Sequence, residues 1–197
     1  ATSLFYSDFF LVLPALLVVF GLTLSQTYIV FSIITTFLTF IISYYVRLSV
    51  DRKESNSFIF SLLYTFSTYR LTDVYYRVAV GEYLAMMVLP IAFYGLYNII
   101  YKDANKWHYL TLGMVSLLLS HLISALMFAL LIVVYLALNI KKLWFEKTRI
   151  ISLIKATLTT IPLVVFYLFP IFEQFRYQDL KVTDNQLINI SKTGLTY

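Results

Sequence analysis

Cysteine is absent from the 197 residues, which removes disulfides, iron–sulfur clusters and thiolate zinc sites from consideration. Histidine occurs twice, at His108 and His121, too few for a histidine-built metal centre without carboxylate help. Five glycines and four prolines exclude collagen-like and linker compositions. Charge is scarce as well: 13% of the residues are Asp, Glu, Lys or Arg, against about 25% in a soluble domain. Apolar residues take their place, at 60% hydrophobic and 18% aromatic, with a mean hydropathy of +0.81. One water-surrounded core of this size cannot enclose so much apolar surface, so a soluble enzyme or nucleic-acid-binding domain is excluded, and disorder with it. The composition describes an all-α protein, a polytopic helical transmembrane bundle. P-loop, GxSxG, HExxH and dinucleotide fingerprints are all missing, and no pterin, zinc, nucleotide or haem motif is present.

Apolar runs near 20 residues can cross a bilayer as helices. Phe9–Leu24 is short, carries Pro14 and Gly21, and reads as either a span or a juxtamembrane helix. Thr27–Val46 is a full span, Phe58–Leu71 a short one, and Tyr83–Tyr101 another full one. The apolar stretch from Tyr109 to Ile140 is too long for one ordinary crossing. Its polar point, Ser120-His121, divides it into Trp107–Leu119 and Leu122–Asn139. Ile150–Phe169 is the last span, ended by Pro170. The expectation is about six spans plus one further helix over residues 1–170, followed by the start of an extracytoplasmic soluble segment at 171–197. The chain reads as a piece of a longer protein, with elements missing at both ends.

Lysine and arginine set the orientation. With Thr27–Val46 running inward, the inside loops hold Arg47, Arg52, Lys53, Lys102, Lys106, Lys141, Lys142, Lys147 and Arg149. The short outside connections hold Arg70 and Arg77. The net charge of +5 is therefore a topology signal, with no basic patch interleaved with exposed aromatics to suggest nucleic acid. The expected location is the cell membrane, multi-pass, with the C-terminal tail outside.

On the outer face this topology gathers Tyr69, Arg70, Asp73, Arg77, Glu82 and His121. Arg70, Asp73 and Arg77 are spaced i, i+3, i+7, so a continued helix places Asp73 between two guanidiniums. Ionisable residues at membrane depth are costly and mark sites or pathways. One reading is an anion site, with Arg70 or Arg77 holding a phosphate and Asp73, Glu82 or His121 serving acid–base catalysis. The other is an interfacial salt-bridge ladder among belt tyrosines. Glu82 equally suits a helix N-terminus, and His121 a buried neutral imidazole bonded to a serine or a carbonyl. Gly113, Ser116, Ser120 and Ser124 read as small-residue helix contacts.

Several stretches carry a specific resemblance. Ser61-Leu62-Leu63-Tyr64-Thr65-Phe66-Ser67-Thr68-Tyr69-Arg70-Leu71, then Asp73, Tyr76 and Arg77, leads into Ala79-Val80-Gly81-Glu82-Tyr83-Leu84-Ala85. Leu89-Pro90, Gly95-Leu96-Tyr97 and Leu119-Ser120-His121-Leu122-Ile123-Ser124 follow, and Asp8 with Leu13-Pro14-Ala15-Leu16-Leu17 precedes. Together they resemble the large bacterial membrane proteins labelled 6-pyruvoyl-tetrahydropterin-synthase-related, similar to YfhO-like proteins. The resemblance implies a multi-spanning GT-C type of glycosyltransferase architecture, a polyprenyl-phosphate-linked sugar as donor and reaction on the outer membrane face. It leaves the cofactor open, a divalent metal included. A lipid-linked-sugar transporter and a non-catalytic envelope assembly protein are the alternatives.

Overall fold

A computed structural model describes residues 8–177, and these are helical almost throughout, with no strand among the described residues. After a 3-10 turn at Asp8–Leu11, the helices are α1 (Val12–Val19), α2 (Leu24–Asp51), α3 (Glu54–Thr65) and α4 (Thr68–Thr72). A π-turn at Asp73–Arg77 leads into α5 (Val80–Tyr101), and a 3-10 turn at Ala104–Lys106 leads into α6 (Trp107–Ser120). The rest are α7 (Leu122–Leu138), α8 (Ile140–Phe145) and α9 (Lys147–Tyr177).

Three helices, Leu24–Asp51, Val80–Tyr101 and Lys147–Glu173, are long and apolar enough to cross a membrane. The remaining crossings expected from the sequence fall on shorter pieces. α1 has eight residues, about 12 Å of helix, well short of a bilayer core. It ends where Gly21 adopts φ +95, a backbone that side chains disfavour. The short run at 58–71 belongs to a two-part rod, α3 and α4, interrupted at Phe66-Ser67. The division at His121 falls where the polar point in the sequence puts it. α9 continues past Pro170 to Tyr177, so proline does not end the helix there, and the soluble segment expected from residue 171 lies mostly outside the described residues.

α5 is the hub. Two thirds of its most apolar window (67%) is buried, against 22% for α2 and for α9. Tyr83, Ala92, Ile99 and Ile100 are wholly enclosed, and α6 lies closest to it. Glycine sets that approach: a Cβ on Gly95 would stand 2.1 Å from the Leu110 amide nitrogen, and one on Gly113 2.4 Å from the Ala92 Cα.

On its other side α5 meets α2, which also packs along α3. The buried residues of α2 recur every fourth position, at Thr27, Phe31, Thr35, Thr39 and Ser43, facing the equally spaced Ser57, Ser61 and Thr65 of α3. The rod of α3 and α4 runs antiparallel to α2, so Asn56 reaches Asp51 at one end and the Tyr28 hydroxyl donates to the Val74 carbonyl at the other. The α2/α3 and α5/α6 turns share one end of the bundle. The π-turn, the start of α5 and the α6/α7 joint share the opposite end.

Candidate functional site

That opposite end holds the ionisable residues singled out by the sequence. α4 closes at Thr72 and the backbone widens into the π-turn, which Val78 ends with φ +51, a costly conformation for a β-branched residue. The Ala79 amide donates to the Asp73 carbonyl (2.9 Å), fixing the joint. The result aims Arg77 back over Asp73 and across to Glu82 in the first turn of α5.

Arg77 Nη1 donates to Asp73 Oδ1 (2.7 Å) and Glu82 Oε2 (2.8 Å), and Nη2 donates to Glu82 Oε1 (2.7 Å). The Tyr69 hydroxyl donates to Glu82 Oε2 (2.5 Å). This closed clasp carries two carboxylates against one guanidinium. Asp73 is wholly buried, and its Oδ2 has no hydrogen-bond partner. The turn lies beyond the three long helices, and there burial, with Glu82 nearby, raises the Asp73 carboxyl above the usual aspartate range. His121 is within electrostatic reach of Asp73, Arg77 and Glu82. Its Nδ1 accepts from the Ser124 amide (3.4 Å) and lies 2.8 Å from Ser124 Oγ, so the ring caps α7. An accepting Nδ1 leaves a neutral imidazole its proton on Nε2. A cavity of about 450 Å³ opens beside the clasp, lined by Arg77, Gly81, Leu84 and Ser120 among others.

Arg70 departs from the sequence reading. The expectation of Asp73 between two guanidiniums fails, because the i, i+3, i+7 alignment needs an unbroken α-helix. The π-turn widens the spiral after Thr72 and sends Arg77 to Asp73, while Arg70 turns toward α2. Arg70 is wholly buried, with Nη1 donating to Thr36 Oγ1 (3.2 Å) and, at 3.5 Å, to the Thr65 carbonyl. Its Nε and Nη2 have no hydrogen-bond partner. The structure therefore brings together Asp73, Arg77, Glu82 and His121, with Tyr69 joined to them through Glu82. Arg70 forms a second polar centre with Thr36 and Thr65. Nothing in the pattern of α2 announced Thr36, because the four-residue repeat marks the adjacent Thr35. Among the described residues, no group of three or more His, Asp or Glu side chains could hold a metal ion.

Comparison with protein-family models, with curated proteins and with solved structures finds no match to this chain.

Proposed function

We propose that the chain is the membrane-embedded part of a GT-C-like transferase. In this reading about six helical segments cross the bilayer, α1 lies along its surface, and the Arg77 end faces outward. It moves a sugar from a polyprenyl-phosphate donor to a cell-envelope acceptor. The observation that carries the reading is Asp73: a buried carboxylate with one oxygen held by Arg77 and the other unengaged, at a bundle end that also offers a cavity. Burial makes it a better base than an exposed aspartate. With the Arg77 clasp opened to admit it, the acceptor hydroxyl gives its proton to Asp73 Oδ2 as its oxygen attacks the sugar's anomeric carbon, and the bond to the lipid phosphate breaks. Arg77 meets the departing phosphate from its exposed side, held in orientation by Glu82 and Tyr69.

In full-length protein reconstituted with labelled polyprenyl-phosphate sugar, Asp73→Asn should abolish transfer and preserve donor binding. Retained transfer would end the assignment of Asp73 as base. Orientation is tested by single cysteines in this Cys-free chain. An impermeant thiol reagent applied to intact cells should label a cysteine at Asn185 and spare those at Ser55 and Lys142, and the reverse pattern would invert the topology. The interruption at Phe66-Ser67 favours the second reading, a lipid-linked-sugar transporter, because broken helices line the paths of membrane carriers. Movement of the donor across vesicles without any transfer would select that reading.

A further inference from the structure

Two buried groups of opposite charge on one short segment each keep an unused bonding position. Asp73 Oδ2 accepts nothing, and Arg70 Nε and Nη2 donate to nothing. Both residues are wholly enclosed, and among the described residues Arg70 takes part in no ion pair. A buried charge without a counter-charge is costly, and here one of each sign stands three residues from the other. The backbone between them is ordinary right-handed helix: Thr72 has φ −62 and ψ −43, and Asp73 has φ −66 and ψ −37. The widening falls over Asp73–Arg77, so the i, i+3 relation of Arg70 to Asp73 survives although the i+7 relation to Arg77 does not.

Direction is what keeps the two apart. Arg70 lies one turn behind Asp73 and Arg77 one turn ahead, and a carboxyl on a single methylene faces one of them at a time. In this structure it faces ahead, where Arg77 Nη1 holds Oδ1 at 2.7 Å. Arg70 is left with 3.2 Å to Thr36 Oγ1 and 3.5 Å to the Thr65 carbonyl. Charge-assisted bonds run about 2.7–2.9 Å, so Arg70 is the loosely held arginine of the two. Side chains on a helix lean toward its N-terminus, which is the Arg70 side. Arg77, for its part, has other claims on it. It is half exposed, it lines the cavity beside the clasp, and Glu82 engages both its Nη atoms where Asp73 engages one.

From this arrangement we infer that Arg70 is a positioning residue for Asp73: when a phosphate draws Arg77 out of the clasp, the Asp73 carboxylate turns back by one helical turn and passes to Arg70. The inference rests on the role proposed above for Arg77 at the departing phosphate. A wholly buried carboxylate that loses its only guanidinium takes up a proton, and then it can accept none from the acceptor hydroxyl. Passing to Arg70 keeps it ionised, with one oxygen held and the other open. The remaining charged neighbours cannot substitute: Glu82 has the same sign, and His121 commits its Nδ1 to capping α7.

The test is a double-mutant cycle on the full chain that needs no turnover. Arg77→Gln imitates the opened clasp. Arg70→Gln alone should leave the unfolding midpoint in detergent unchanged or higher, because at rest Arg70 has no charge partner to lose. On the Arg77→Gln background the same change should lower the folding equilibrium roughly tenfold, about 1.4 kcal/mol. Adding Asp73→Asn leaves no charge to hold and should erase that cost, and Arg70→Lys, which keeps a cation, should recover part of it. An Arg70→Gln effect that is the same with and without Arg77, or that survives Asp73→Asn, overturns the inference. A binding measurement covers the case in which Arg77→Gln does not fold. With Arg77 intact, Arg70→Gln should weaken binding of farnesyl phosphate roughly tenfold, and on the Asp73→Asn background it should not weaken it at all. Equal loss on both backgrounds overturns the inference here too. Transfer that survives Asp73→Asn beside an intact cycle ends the proposed reaction and leaves the exchange between the arginines standing.

Discussion

Two arginines seven residues apart on one connected segment have opposite fates. Arg77 is half exposed and engaged by two carboxylates and, through Glu82, a tyrosine. Arg70 is wholly enclosed and meets one hydroxyl and one carbonyl. A guanidinium is more easily left unpaired in water than in a protein interior, so the usual pairing economy is reversed here. The accessible arginine is internally satisfied and therefore structural in the resting state. The inaccessible one retains unused donors. The number of donors an arginine keeps unused is thus set by the partners its turn supplies rather than by its exposure.

Changes to the scaffold beneath both centres should have the largest effect. Gly95→Ala puts a methyl group into the Leu110 backbone, and the α5–α6 approach must open. A loss of about 3 kcal/mol is expected, read as a large drop in unfolding temperature in detergent, with both arginine environments lost together. Next comes the clasp. Glu82→Gln removes the bidentate partner of Arg77 and weakens the contact to Tyr69, and because Arg77 is half in solvent the cost is about 1 kcal/mol. Arg70→Met should behave oppositely. In protein stripped of lipid, removal of a buried unpaired cation should leave the unfolding temperature unchanged or higher. A fall as large as that of Glu82→Gln would erase the contrast between the two arginines.

The smallest effect concerns protons. Asp73 has its folded pKa raised by burial, so below neutral pH the folded state takes up a proton before the unfolded chain does. Its contribution to stability is therefore full below the ordinary aspartate pKa and is lost as pH rises through the raised value. Across that interval wild type should gain slightly on Asp73→Asn as the medium is acidified. Paired denaturation curves at several pH values check the sign. The transfer rate, if Asp73 is its base, should decline over the same interval.

The helical class and the joint at His121 were legible because both rest on composition and on a single polar interruption of an apolar run. The proximity of Asp73, Arg77, Glu82 and His121 was legible too, since reversing helices return these segments to one end of the bundle. The partners of Arg70 were not. The i, i+3, i+7 rule assumes constant rotation per residue, and it fails where the π-turn begins. That turn is held by Val78 in a left-handed backbone and by the bond from Tyr28 to Val74, neither of which leaves a trace in residue spacing. The break at Phe66-Ser67 was hidden for a different reason: Tyr64 to Arg70 is polar throughout apart from Phe66, and no glycine or proline marks the point of interruption. Pro170 misled in the other direction. A missing amide weakens a helix without ending it when the flanking turns still favour that conformation.

The middle of the seam between α2 and α3 is lined by hydroxyls that are already spoken for, whereas those of Thr27 and Thr65 at its far end have no partner. Thr35, Thr39 and Ser43 each donate to a carbonyl of their own helix, and so do Ser57 and Ser61 across from them. Small polar side chains thereby make a smooth, close contact without lacing the two helices together. Their alignment is held chiefly at the extremities, by Asn56 on Asp51 and by Tyr28 on Val74. Such a pair behaves as a slide clamped at both ends. Releasing the Tyr28 clamp should loosen the far end of the pair alone, because the two-residue link Arg52-Lys53 still holds the near end in place.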